Sequence, residues 1–207
     1  MQKPRINMPI IVEGKYDKNA LMQIFDATVI AVGGFGIFNS KEKQALIRKI
    51  SKDGVILLTD SDGGGTQIRS FLKGIIPKEK IFNAYVPMIK GKEKRKAKPS
   101  KAGLLGVEGV GREVLEHTLA PFVSDGGRAN FCVKKSNKMI TKVDFYLDKL
   151  SGADNAAARR DALAVYFELP TAMTAPALLE ALNIITDLDG YKAAVSELFG
   201  DGERLTT

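Results

Sequence analysis

Four short segments of the chain, Pro9–Val12, Thr28–Val32, Val55–Thr59 and Ile81–Val86, are apolar almost throughout instead of alternating apolar with polar residues. A strand with one wet face alternates, so strands of this kind belong to a sheet covered on both sides, the arrangement of parallel α/β domains. The intervening segments supply the cover. Ala20, Leu21, Ile24 and Phe25 recur at helical spacing behind Asp17, which reads as an N-terminal cap. Ser40 caps a second helix that buries Ala45, Leu46, Ile47 and Ile50, and Ile68, Phe71, Leu72 and Ile75 lie on one face of a third. In such sheets ligands sit beyond the carboxyl ends of the strands, where the chain changes direction. Glu13, Asp60 and Asp62 all fall at such ends.

The chain changes character after this alternation. Lys90–Lys101 (KGKEKRKAKPSK) has Ala97 as its one apolar residue, so it is expected to be a loop and not core. Val110, Val114, Leu115 and Leu119 predict a helix, and Ser124–Arg128 a hinge. Thr141–Leu150, Asn155–Phe167, Thr174–Ile185 and Tyr191–Phe199 then read as helices, with Thr141 and Thr174 as caps. The expected organisation is an α/β domain over 1–122 with its basic loop at 90–101, a linker over 123–140, and a small helical domain over 141–207.

Charge divides the same way. Residues 1–135 hold 24 Lys and Arg against 13 Asp and Glu, whereas residues 136–207 hold 7 against 11. The basic part suits a phosphate backbone, whose neutralisation releases counterions. No apolar run approaches the roughly 18 residues needed to cross a bilayer, and Met1–Ile10 lacks the apolar core of a secretory signal. The expectation is a soluble cytoplasmic protein without a membrane partner. The single Cys132 excludes an internal disulfide and a cysteine-rich zinc site.

Asp60 and Asp62 stand two apart, so in extended backbone their side chains leave one face and can hold a hard cation between them. The same tetrapeptide, Asp-Ser-Asp-Gly, also suits a polar turn or a helix cap. Glu13 at the end of another central strand changes the balance, because three converging carboxylates repel one another unless a cation lies among them. Magnesium, which prefers a few carboxylates together with phosphate oxygens and water, fits that demand.

Ile11-Val12-Glu13-Gly14-Lys15-Tyr16-Asp17, the Gly33-Gly34 turn and Leu58-Thr59-Asp60-Ser61-Asp62 together resemble the Toprim domain of primases, topoisomerases and small nucleases. The later sequence is similar to one branch of it. Lys98-Pro99, Gly106-Val107-Glu108 opening a helix, the segment Asp62–Arg69, and Leu150-Ser151-Gly152 followed by Asn155–Arg160 and Leu163 resemble the ribonuclease M5 family, which matures 5S ribosomal RNA. Lys15 stands where that family usually has Arg, Gly63-Gly64 replaces a bulkier pair, and Gly109 follows Glu108 where His is common.

The resemblance implies a magnesium-dependent endoribonuclease cutting double-stranded regions of precursor 5S ribosomal RNA by two-metal phosphodiester hydrolysis. Glu13, Asp60, Asp62 and Glu108 would hold two Mg2+ ions, and Lys15 would meet the scissile phosphate. Lys92, Lys94, Arg95, Lys96, Lys98 and Lys101 are expected along the RNA path, with further RNA contacts from Arg69, Arg159 and Arg160. The resemblance also implies help from a 5S-binding ribosomal protein of the L18 type, for which the acidic second domain is a candidate dock. His117 is read as a helix-surface residue. Two other readings remain at this point: a Toprim nuclease acting on another structured RNA or on DNA, and a non-catalytic RNA-binding module on the same scaffold.

Overall fold

The computed structural model describes residues 2–93, 103–125, 128–129 and 139–200. The chain forms two compact units, residues 1–131 and 132–207.

In the first unit, β1 (Arg5–Val12), β2 (Asp26–Ala31), β3 (Val55–Thr59) and β4 (Ile81–Tyr85) form one sheet in the order β2-β1-β3-β4, every pairing parallel. This is the architecture expected from the apolar runs, although β1 begins four residues earlier than its apolar stretch. All five residues of β3 are buried. The helices are α1 (Lys15–Ile24), α2 (Lys41–Ile50), α3 (Gly63–Ile75) and α4 (Arg112–Leu119). The crossover from β1 to β2 runs one way along the sheet, and those from β2 to β3 and β3 to β4 run the other. Right-handed connections therefore put α1 on one face and α2 and α3 on the opposite face. Ile11, Val55 and Leu57 pack with Ile47 of α2 and Ile68 and Leu72 of α3 on that second face. The reversal falls between β1 and β3, and it is there that their carboxyl ends diverge from different crossovers and leave a crevice.

Caps follow the sequence closely. The Ser40 hydroxyl accepts from the Lys43 amide at the start of α2. At α1 the cap is Gly14, and Asp17 sits one turn inside the helix, accepting from the Gly14 amide at 2.9 Å. Leu46, expected inside, is 48% exposed, because α2 turns Ile47 toward the sheet instead.

Arg69, expected as an RNA contact, lies inside the first unit. It is buried in α3, and its guanidinium donates to the Leu57 carbonyl (3.2 Å), the Asn83 side chain (2.7 Å) and the Ala84 carbonyl (3.0 Å), lying 4.2 Å from the Tyr85 ring centroid. Its donors are directed at the edges of β3 and β4 and not at solvent.

The second unit contains α5 (Lys142–Leu147), α6 (Ala156–Tyr166), α7 (Ala175–Ile185) and α8 (Leu188–Phe199). Thr141 and Asp144 form a capping box on α5, and Thr174 caps α7. Leu150, Leu163, Leu178, Leu182 and Tyr191 are fully buried, and the Tyr191 hydroxyl donates to Asp148 at 2.7 Å. Arg159, also expected as an RNA contact, is 6% exposed, donates to the Asp148 carbonyl and lies 3.9 Å from the Phe199 ring centroid. Arg160, half-buried, donates to the carbonyls of Met173 and Leu150. Both arginines tie loops to α6. Cys132 lies outside the described residues. Among the described residues no helix is long and apolar enough to cross a membrane.

Candidate functional site

Glu13 and Asp60 are the first residues beyond β1 and β3, so the switch point sets them side by side. The Glu13 carboxylate accepts from the Asp60 backbone amide at 2.8 Å. Its backbone carbonyl takes the amides of Gly33 and Gly34 at 2.8 and 3.0 Å, which fastens the end of β2 to the same residue. The third wall comes from far along the chain. Asp60 Oδ1 accepts from the Val107 amide at 2.8 Å, and Asp17 Oδ1 accepts from the Glu108 amide at 3.1 Å.

Asp62 stands at the rim. Its Oδ1 accepts from the Gly65 amide at 2.9 Å and caps α3, so one oxygen of the DxD pair serves the cap foreseen as its structural role. Two glycines make the close packing feasible. A Cβ on Gly65 would collide with the Asp60 carbonyl and approach Glu13 Oε1 to 2.6 Å, and one on Gly106 would come within 2.5 Å of Asp60 Oδ2.

The result is a cleft of about 240 Å³ lined by Glu13, Gly14, Tyr16, Asp17, Gly34, Asp60, Glu93 and Glu108. Two of these carboxylates were not foreseen. Asp17 precedes a helical pattern, which by itself indicates a cap; the signal for its second role is its place one helical turn after Glu13. Glu93 is the sole acid in the basic run, and it is buried, with Oε1 accepting from the Gly106 amide at 3.2 Å. Nothing in its local sequence separates it from a solvated charge.

Crowding of like charges shows in proton affinity. Burial, and then the charge of Asp60, push the Glu13 carboxyl up from 4.5 to about 7. Burial and the same Asp60 charge push Asp17 up from 3.8 to about 6, with Glu108 adding to the effect. Among the described residues no three acidic side chains are arranged to hold one ion as they stand; several of their oxygens are taken by backbone amides. The donor set is nonetheless all oxygen and several-fold negative, which is the chemistry of a hard divalent cation and not of zinc or copper.

The remaining expected residues are placed less centrally. Lys15 is exposed, with its ammonium 5.0 Å from the Tyr16 ring centroid. Lys92 is exposed at the start of the basic run. Lys94, Arg95, Lys96, Lys98 and Lys101 lie outside the described residues. The neck of that run is fixed by Gly91 donating to the Gly103 carbonyl (3.0 Å) and Leu105 to the Ile89 carbonyl (2.8 Å). His117 is exposed on α4, as a helix-surface residue should be.

Residues 8–84 match the family model of the Toprim domain. Across more of the chain, the sequence is 32% identical over 162 residues to Ribonuclease M5 of Fusobacterium nucleatum, covering 78% of this chain and 79% of that protein. It is 34% identical over 152 residues to Ribonuclease M5 of Clostridium acetobutylicum (73% and 72% covered) and 31% identical over 154 residues to that of Clostridium botulinum (74% and 75%).

Proposed function

The chain belongs to the ribonuclease M5 family, and from that premise we propose that its carboxylate cleft hydrolyses phosphodiester bonds in double-stranded regions of precursor 5S ribosomal RNA, in the cytoplasm and with magnesium. The observation that carries this reading is the meeting of Glu13, Asp60 and Glu108, drawn from three distant segments, at the sheet's switch point. A purely structural Toprim scaffold has no need of carboxylates whose burial and mutual repulsion raise Glu13 to about 7.

Glu13, Asp60, Asp62 and Glu108 would hold two Mg2+ ions. Bound there, the metal supplies positive charge where negative charge develops on the reacting phosphate and lowers the pKa of a coordinated water. The chain's own contributions are distinct. Glu13 orients the end of β3 through the Asp60 amide, and Asp17 holds the turn that presents Glu108. Lys15 on the exposed rim meets the scissile phosphate. The basic run 90–101 grips the duplex by its backbone, since the deep major groove of A-form RNA resists reading by side chains. The acidic second unit receives a basic ribosomal protein of the L18 type already seated on the precursor.

The test is to incubate the protein with precursor 5S RNA and with duplex DNA, with and without magnesium, and to map the ends produced. Defined RNA ends that need magnesium are expected, with Asp60→Asn slowed by orders of magnitude while RNA binding persists. Cleavage by Asp60→Asn at the wild-type rate would remove Asp60 from the mechanism, and cleavage of DNA alone would overturn the substrate.

A further inference from the structure

Phe35 is an apolar side chain held out of the core beside the cleft. It is 54% exposed, in a 3-10 turn over Gly34–Phe38 that follows β2 after two residues. Burying such a ring is favourable, so its exposure runs against the hydrophobic effect unless something covers it. Its position is fixed from both sides. Gly33 and Gly34 have φ of +80° and +60°, a conformation that side chains disfavour, and both amides are bound to the Glu13 carbonyl. Behind it stands a row of rings: Phe35 to Phe38 at 5.5 Å and Phe38 to Phe71 at 4.8 Å between centroids, with Phe71 packed on the core.

The ring is more than half exposed, and the backbone around it is open. Gly34 and Gly36 have nothing within 4 Å of where a Cβ would stand, and neither does Gly63. At Gly64 a Cβ would be 3.8 Å from Phe35 Cζ, so the ring lies against the first turn of α3, next to the Asp62 cap. Tyr16, 40% exposed, lines the cleft from the side of α1. A nucleotide whose phosphate enters the carboxylate cleft therefore has an aromatic surface beside it, anchored to the residue that orders the site.

We propose that Phe35 is a stacking platform for one nucleobase flanking the scissile phosphate, so that the preferred substrate is an RNA helix with an unpaired or easily opened base at the cut. This deepens the proposed function and rests on its RNA assignment. A base inside an A-form helix shows only its edges, whereas stacking on an aromatic ring needs its face, which is available when the base is splayed out. Base-on-aromatic stacking tolerates any base, so Phe35 sets the required state of the substrate and not its letter.

The experiment compares wild type with Phe35→Ala, Phe35→Leu and Phe35→Trp on two RNA hairpins differing only in a mismatch at the cut position. Single-turnover cleavage in magnesium is one readout. The other is the emission of 2-aminopurine placed beside the cut, followed on binding in calcium. Wild type is expected to cut the mismatched hairpin faster and to quench the probe. Phe35→Ala and Phe35→Leu should lose roughly 10-fold or more in cleavage at subsaturating enzyme together with the quench, and Phe35→Trp should keep both. Equal cleavage and quenching by Phe35→Ala, or full activity in Phe35→Leu, would overturn the platform. If wild type cuts neither hairpin, the nuclease reading falls, and the quench still decides whether Phe35 stacks a base.

Discussion

Replacing Asp60 by Asn should make the metal-free protein more stable while destroying its activity. Asp60 is the second-largest cause, after burial, of the raised proton affinity of both Glu13 and Asp17. Each tenfold change in that affinity is worth about 1.4 kcal/mol. Because a carboxyl that binds its proton more tightly when folded is costly to ionise in the folded state, stability declines as pH rises from about 4 to about 7, and the full penalty is present above that window. Asn keeps an oxygen for the Val107 amide but removes the repelling charge. Allowing for solvent screening in an open cleft, and for the share that belongs to burial, the relief summed over both carboxyls is about 1–2 kcal/mol. In thermal unfolding with EDTA at pH 8, that corresponds to a rise on the order of 5 °C. At pH 4 the gap should vanish, and added magnesium should stabilise wild type more than the variant. An Asn variant equal to or less stable than wild type at pH 8 in EDTA would refute the claim that Asp60 is the charge around which the cleft is strained.

Arg69→Ala should lower stability by about 3 kcal/mol, since it leaves the Asn83 side chain and two strand carbonyls without their buried donor, while the salt dependence of RNA binding stays as in wild type. A shallower salt slope with unchanged stability would restore Arg69 as an RNA contact. Gly65→Ala should abolish cleavage and cost several kcal/mol in stability by driving a methyl into the Asp60 carbonyl, as read by activity and by thermal unfolding together. Neutralising Lys92, Lys94, Arg95 and Lys96 should flatten the slope of log affinity against log salt by roughly one for each phosphate that is no longer neutralised, with the rate at saturating RNA retained; an unchanged slope would take the run off the RNA path.

The parallel sheet was legible because burial on both faces leaves a direct mark on the strands: β3 is apolar from Val55 to Leu58 and wholly buried. Helix starts were legible where a side chain does the capping, as at Ser40, Thr141 and Thr174. The meeting of Glu13 with Asp60 followed from their places at the ends of adjacent central strands. What the sequence hid is the direction in which a long charged side chain points. Arg69 and Arg159 have the same neighbours in sequence as surface arginines, yet carbonyls and rings brought by other elements take their guanidinium groups inward. Glu93 is hidden by the converse effect, an acid drawn out of a basic run by the Gly106 amide. In each case the deciding partner comes from a different element of the chain, beyond the reach of any periodicity.

The clamped neck of the basic run, Gly91 with Gly103 and Leu105 with Ile89, separates two jobs that would otherwise compete. Glu108 is tethered through its amide to Asp17, 91 positions upstream, and Glu93 accepts from the Gly106 amide, so the acids on either side of the run are held by bonds outside it. Exchanging the basic residues after Glu93 for neutral ones should therefore leave the acidic groups in place. Charge on the run and alignment of the acidic cleft are thus set by separate parts of the chain.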